Sequence, residues 1–130
     1  MQTAKNDSQA MLPLTPAVFH ILLALADGER HGYSIMQEIA AHTEGKMRIG
    51  PTTLYRSIKH MLLDGMIVEV DERPDPMLDD ERRRYYKLTI FGQQVALAET
   101  QRLEQALKVA RSRPLLASSL SIVPGERAEQ

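Results

Sequence analysis

GPTTLYRSIKHMLLDGMI, residues 50–67, decides how this chain folds, because it reads as one helix with two unlike faces. Leu54, Ile58, Met61 and Leu62 recur every three to four residues, the spacing of a stripe packed against a core. On the opposite face lie Thr52, Arg56, Lys59 and His60, with Thr53 beside them at the start. Short hydroxyls and cations at helical spacing suit phosphates and base edges. Pro51 stands at the first helical position, where its missing N–H costs nothing, and Asp64-Gly65 closes the segment.

Charge supports a polar role for that second face. Residues 46–63 contain Lys46, Arg48, Arg56 and Lys59 and no carboxylate, although the whole chain carries a formal net charge of -1. The basic character is therefore local, and a case for nucleic-acid binding rests on one surface and not on bulk charge.

The 130 residues suffice for one domain with a core but not for two independent ones. With no Cys, disulfides, thiol catalysis and thiolate metal sites are excluded. His20, His31, His42 and His60 lack ligand spacing and a nucleophile–base arrangement, and no Gly-rich phosphate loop follows a strand. An enzyme is not expected, nor a cofactor or metal. No apolar run approaches the roughly 18 residues needed to span a bilayer, so a soluble cytoplasmic protein is expected.

Working outward from the central helix, residues 1–13 are polar and aperiodic and read as a flexible arm. Thr15 is a good N-cap and Pro16 a good first helical residue, and Leu14 with Phe19 has the spacing of a hydrophobic staple. The first helix then runs to Ala26 or Asp27, and Gly28 supplies a left-handed stop. Its middle, VFHILLALA, is apolar nearly all round and predicts burial on several sides, with His20 as a buried or interfacial residue with a local partner. A short amphipathic helix follows from Tyr33 to His42. Beyond the central helix the period changes to two: Met66, Val68 and Val70 alternate with Ile67, Glu69 and Asp71. A Pro-rich charged loop leads to RYYKL, completing a hairpin, and a last helix extends from Thr89 to Arg113. Three helices followed by a hairpin is the order of a winged helix-turn-helix, in which the third helix enters the major groove and the hairpin lies over the adjacent backbone. The expected fold class is mainly α with a small β-hairpin: a winged helix-turn-helix over residues 14–88, a long C-terminal dimerisation helix over 89–113, and a tail over 114–130, docked or disordered.

Several stretches together resemble the PadR family of bacterial transcriptional regulators. They are His-Gly-Tyr at 31–33, Leu-Tyr at 54–55, Asp-Gly and an apolar residue at 64–66, and Tyr-Tyr-Lys-Leu-Thr at 85–89 with Gly92. The resemblance spans roughly Leu14 to Arg113. The chain departs from it at Arg56 and Ile90, where many members have Pro. The family implies a homodimeric winged-helix protein on a double-stranded DNA operator, usually a repressor and sometimes released by a small-molecule effector. The single C-terminal helix looks like the short-tailed branch, in which that helix supplies the dimer contact. Ala96, Leu103 and Ala110 are seven residues apart, and Val95 and Leu107 extend the stripe into an apolar seam, read as a contact with a second subunit, with packing back onto the same domain as the competing account.

Arg56 and Lys59 lead the candidate groove contacts, since Arg bonds guanine bidentately and Lys neutralises a phosphate. Thr52 and Thr53 occupy the first turn, where free N–H groups favour a phosphate, and Ser34 near the start of the second helix is a similar candidate. His60 completes the face, while the ring of Tyr55 is expected to pack and leave its hydroxyl near the DNA backbone. Arg82, Arg83 and Arg84 form the basic arm of the wing, in which alternation sends Arg83 to the face opposite Arg82 and Arg84. Asp75, Asp79, Asp80 and Glu81 precede them and are expected to pair with part of that charge. The competing reading, a winged helix used for protein–protein contact without DNA, draws on the net negative charge and the acidic wing tip.

Overall fold

The computed structural model describes residues 8–70 and 84–121, with side chains in the second stretch as far as residue 117. They fall into two units, one reaching Glu99 and the other beginning at Thr100. Helices α1 (Pro16–Leu25), α2 (Gly32–His42) and α3 (Pro51–Leu63) precede strands β2 (Ile67–Val70) and β3 (Tyr85–Leu88), with a two-residue strand β1 (Arg30–His31) between α1 and α2. Helix α4 (Ile90–Arg111) and the short α5 (Pro114–Ser121) complete the order.

Local chemistry accounts for the helix ends. The Thr15 side chain accepts a hydrogen bond from the Val18 N–H, so α1 starts where a Thr-Pro pair predicts. Helix α2 begins one residue earlier than expected because His31 caps it: His31 Nδ1 accepts from the Ser34 N–H at 3.1 Å. Gly28 has φ +145°, in the region that the turn after α1 demands.

Ile21, Leu22 and Leu25 of α1, Ile35 and Ile39 of α2, and Leu54, Ile58 and Met61 of α3 meet in one core with Ile67, Tyr86 and Val95. At about 1.5–3 kcal/mol for each large apolar side chain removed from water, this cluster is the main source of stability. Residues 11–14 belong to the same body and correct the expected arm. Met11, Leu12 and Leu14 pack against the core, Ser8 is buried, and Glu99 Oε2 accepts from the Leu14 N–H at 3.3 Å. Apolar side chains and a carboxylate that satisfies backbone hold a segment whose lack of periodicity suggested mobility.

The strands form an antiparallel sheet in the order β1-β3-β2. Ile67 lies opposite Leu88 and Glu69 opposite Tyr86, with Ile67 and Tyr86 buried. This reverses the expected phase of β2: Ile67 points inward while Val68 is 40% exposed. The cause is the corner before the strand, where the Met66 N–H donates to the Met61 carbonyl and the Met66 carbonyl accepts from the Thr89 N–H. Met66 thus closes α3, and alternation begins only at Ile67. The same corner seats α4. Thr89 Oγ1 accepts from the Gly92 N–H and donates to the Gly65 carbonyl, and a Cβ at Gly92 would overlap the Met66 carbonyl oxygen. Helix α4 ends at Arg111, and residues 114–121 return to helix as α5.

Candidate nucleic-acid interface

Helix α3 separates its two faces as its spacing predicts. Leu54, Ile58 and Met61 are buried, whereas Thr52, Thr53, Arg56, Lys59 and His60 are all exposed. Among the described residues no hydrogen bond or ion pair occupies the Arg56 or Lys59 side chain. The helix opens at Gly50 with no side-chain cap, so its first-turn N–H groups face outward beside Thr52 and Thr53.

The chain leading into α3 is held from within. Thr43 Oγ1 donates to the Ile39 carbonyl at 2.7 Å and accepts from the Met47 N–H at 3.1 Å. Met47 and Ile49 then pack against the core while Lys46 and Arg48 alternate outward. Two more cations therefore precede the exposed face of α3, on a segment whose shape one hydroxyl secures.

Three candidates have partners inside the molecule. Tyr55 packs against the core, and its hydroxyl lies so close to α2 that a Cβ at Gly32 would overlap it. The ring thus joins α2 to α3. Ser34 is half-buried, and its Oγ accepts from Arg30 Nη1 at 3.0 Å, so its hydroxyl serves the fold. Arg84 is exposed but paired, with Nε 3.6 Å from Glu69 Oε2. Arg82 and Arg83 lie outside the described residues, as do the acidic residues that precede them.

Two arrangements carry no signal in the sequence reading. Arg30 ties the end of α1 to α2: its Nε donates to the Ala24 carbonyl at 2.7 Å, and its Nη2 reaches Asp27 and Glu38 at 3.4 Å each. Glu38 continues to His42 Nδ1 at 3.5 Å, and His42 Nε2 lies 2.9 Å from Nδ1 of His20. His20 thus has its local partner, on a helix 22 residues away. One of the two facing nitrogens donates and the other accepts, so the pair is incompatible with two imidazolium rings. Burial, and then the neighbouring His42, hold the His20 pKa below the ordinary 6.5. Only the fold brings His20 to His42, since the two are 22 residues apart.

The seam proposed for a second subunit divides. Val95 is fully buried in the core of the first unit, so it has no surface left for a partner, and Ala96 is half-buried against the same core. In the second unit, Leu103 and Leu107 are 41% and 44% exposed, and Ala110 is half-buried. A cavity of about 380 Å³ is lined by Leu25, Leu88 and Ala96 with Glu29 and Lys87. Among the described residues no helix is long and apolar enough to cross a membrane, and no group of three His, Asp or Glu could hold a metal ion.

With this geometry in place, comparison with known proteins converges on regulators. The model of the Transcriptional regulator PadR-like family matches residues 21–98. The chain is 33% identical over 86 residues to the transcriptional regulator Rv3488 of Mycobacterium tuberculosis, covering 66% of this chain and 74% of that protein. Among solved structures, a transcriptional regulator from Clostridium thermocellum superposes with a TM-score of 0.61 at 24% identity, over 80% of this chain and 90% of its own. Bordetella bronchiseptica BpsR, whose DNA binding is regulated by 6-hydroxynicotinic acid, superposes with a TM-score of 0.58 at 20% identity, over 90% of this chain and 83% of its own. These structural likenesses concern the fold.

Proposed function

The chain belongs to the PadR-like family of transcriptional regulators, and we propose that it acts as a homodimeric repressor that reads a palindromic operator with α3. The family makes it a DNA-binding regulator and not an enzyme; which face reads DNA, and with what outcome, is our reading. The observation that carries it is the exposed face of α3, where Arg56 and Lys59 have no partner among the described residues above a buried stripe. A cation that the fold does not use costs nothing to redirect toward DNA. Arg56 is assigned to base edges, Lys59 to a phosphate, and Thr52 and Thr53 to a phosphate at the open helix start. His60 flanks the same surface.

Dimerisation through Leu103, Leu107 and Ala110 supplies the second reading helix, and half-sites then lie about one helical turn apart. Exposed apolar residues at helical spacing support this assignment. Release by a small molecule is assigned to the 380 Å³ cavity, whose size falls within the range of about 300–1,000 Å³ common for ligand pockets.

The test is fluorescence anisotropy of the purified protein on its own upstream DNA, at two salt concentrations, with footprinting of the bound region. Affinity is expected to fall steeply with salt and the footprint to be symmetric, because phosphate contacts dominate such binding. Absence of binding at low salt would assign the α3 face to a protein partner instead.

A further inference from the structure

Glu69 stands on the inner face of the hairpin, opposite buried Tyr86 in the β2–β3 register. Arg84 precedes Tyr86 by two residues and so leaves β3 on that same face. Its guanidinium meets the Glu69 carboxylate at 3.6 Å, with both side chains partly in solvent, at 56% and 36% exposure. Together they form one wall of a cleft of about 260 Å³ whose other wall is α3, including Lys59. Three charges therefore border one cleft beside the proposed reading face, and they are not equivalent. Lys59 has no ion pair among the described residues, whereas Arg84 has Glu69.

We propose that Glu69 sets the affinity of this face for DNA by holding Arg84 in an internal ion pair. Duplex DNA across α3 and the hairpin presents phosphates that compete with the carboxylate for the guanidinium. Because the pair is half in water, it exchanges readily. Binding replaces the carboxylate with a phosphate, and Glu69 is left beside the polyanion. The carboxylate thereby lowers affinity for any duplex, since a phosphate contact reads no sequence. The role rests on α3 and the hairpin being the DNA-binding face, and Glu69 is a positioning residue that acts through Arg84.

The test compares the full-length protein with Glu69→Gln, a change that keeps side-chain shape, on a non-operator duplex over a salt series. The variant is expected to bind about two- to fivefold more tightly at low salt, with the log–log salt slope steeper by up to about 0.9, because one negative charge no longer stands beside the polyanion. Thermal unfolding confirms that the variant is folded, and a merely structural role would leave the salt slope unchanged. In an Arg84→Gln background the gain should vanish. If it persists there undiminished, Glu69 acts by direct repulsion and the role through Arg84 is overturned. If Glu69→Gln matches the parent in affinity and slope while Lys59→Ala weakens binding, the proposal fails and the reading face stands. If Lys59→Ala and Arg56→Ala both bind as the parent does, the reading face itself is wrong and this role falls with it.

Discussion

Two polar regions of the first unit contrast sharply in how their charges are used. Between α1 and α2, Asp27, Arg30, Glu38, His42 and His20 form a continuous chain of contacts in which each group answers another. On the outer face of α3, Arg56 and Lys59 have no hydrogen bond or ion pair among the described residues. Arginine is the same chemical group in both places. Where its donors are taken by a carbonyl, a hydroxyl and two carboxylates, it holds helices together. Where they are open, it is free for an external anion. The difference teaches that satisfaction, and not charge alone, separates structural cations from candidate DNA contacts. Arg84 lies between these extremes, partly exposed and lightly paired.

Replacing Arg30 by Ala is the strongest way to break the contrast. It leaves the Ala24 carbonyl and two carboxylates without their donor and should cost about 2–3 kcal/mol of stability, measured by urea unfolding. A cost below half a kcal/mol would mean that the network does not hold α1 to α2. Arg56→Ala should do the opposite: operator affinity falls by about 1–3 kcal/mol and discrimination at one base pair relaxes, with the unfolding midpoint unchanged. If the midpoint moves as far as for Arg30→Ala, the two regions are not distinct. Lys59→Ala should weaken operator and random duplex alike, by about 1 kcal/mol, and reduce the salt slope by about 1. Loss confined to the operator would reassign Lys59 to a base edge.

The smallest effect concerns pH. The folded-state pKa of His20 is lowered, so the unfolded chain binds more protons once the pH drops below about 6.5. The contribution of His20 is fully present above that pH and is lost as the pH falls toward its lowered folded value. Glu38 meets His42 in the same network and is itself paired with Arg30, and the ring of Phe19 meets His20 edge-on. The loss should stay under about 1 kcal/mol for so exposed a pair. Comparing unfolding of the parent and His20→Asn between pH 7.5 and 5.5 reads it: the parent should lose more stability than the variant, and equal losses would remove His20 from the pH dependence.

Much of this organisation was legible in local patterns. The Thr-Pro start of α1, the Gly-Pro start of α3 and the stripe of Leu54, Ile58 and Met61 follow from capping and a 3.6-residue period, which need no knowledge of distant residues. The phase of β2 was not legible, because Met66 and Ile67 are both apolar and only the turn at Met66 decides which begins the alternation. Strand β1 has two residues, too short for any period. Val95 shows a deeper ambiguity. A seven-residue apolar repeat looks the same whether it meets a partner or its own domain, and here the N-terminal end of the seam is taken by the core. Tyr55 and Gly32 belong to separate motifs of the resemblance, and their meeting explains why a glycine stands at the start of α2.

By itself the sequence determined the order of the three first helices, the hairpin and the long helix, the local basic tract and the buried stripe of α3, since each depends on residues within a few positions of one another. It also determined the family, through several short motifs that are specific only in combination. Tertiary structure alone decided which polar groups are satisfied. That choice put Arg30 and Ser34 to structural use, turned Tyr55 inward, paired His20 with His42 and Arg84 with Glu69, and left Arg56 and Lys59 open. The physical reason is that hydrogen bonds and ion pairs act over a few ångströms in space, while a linear pattern records only separation along the chain.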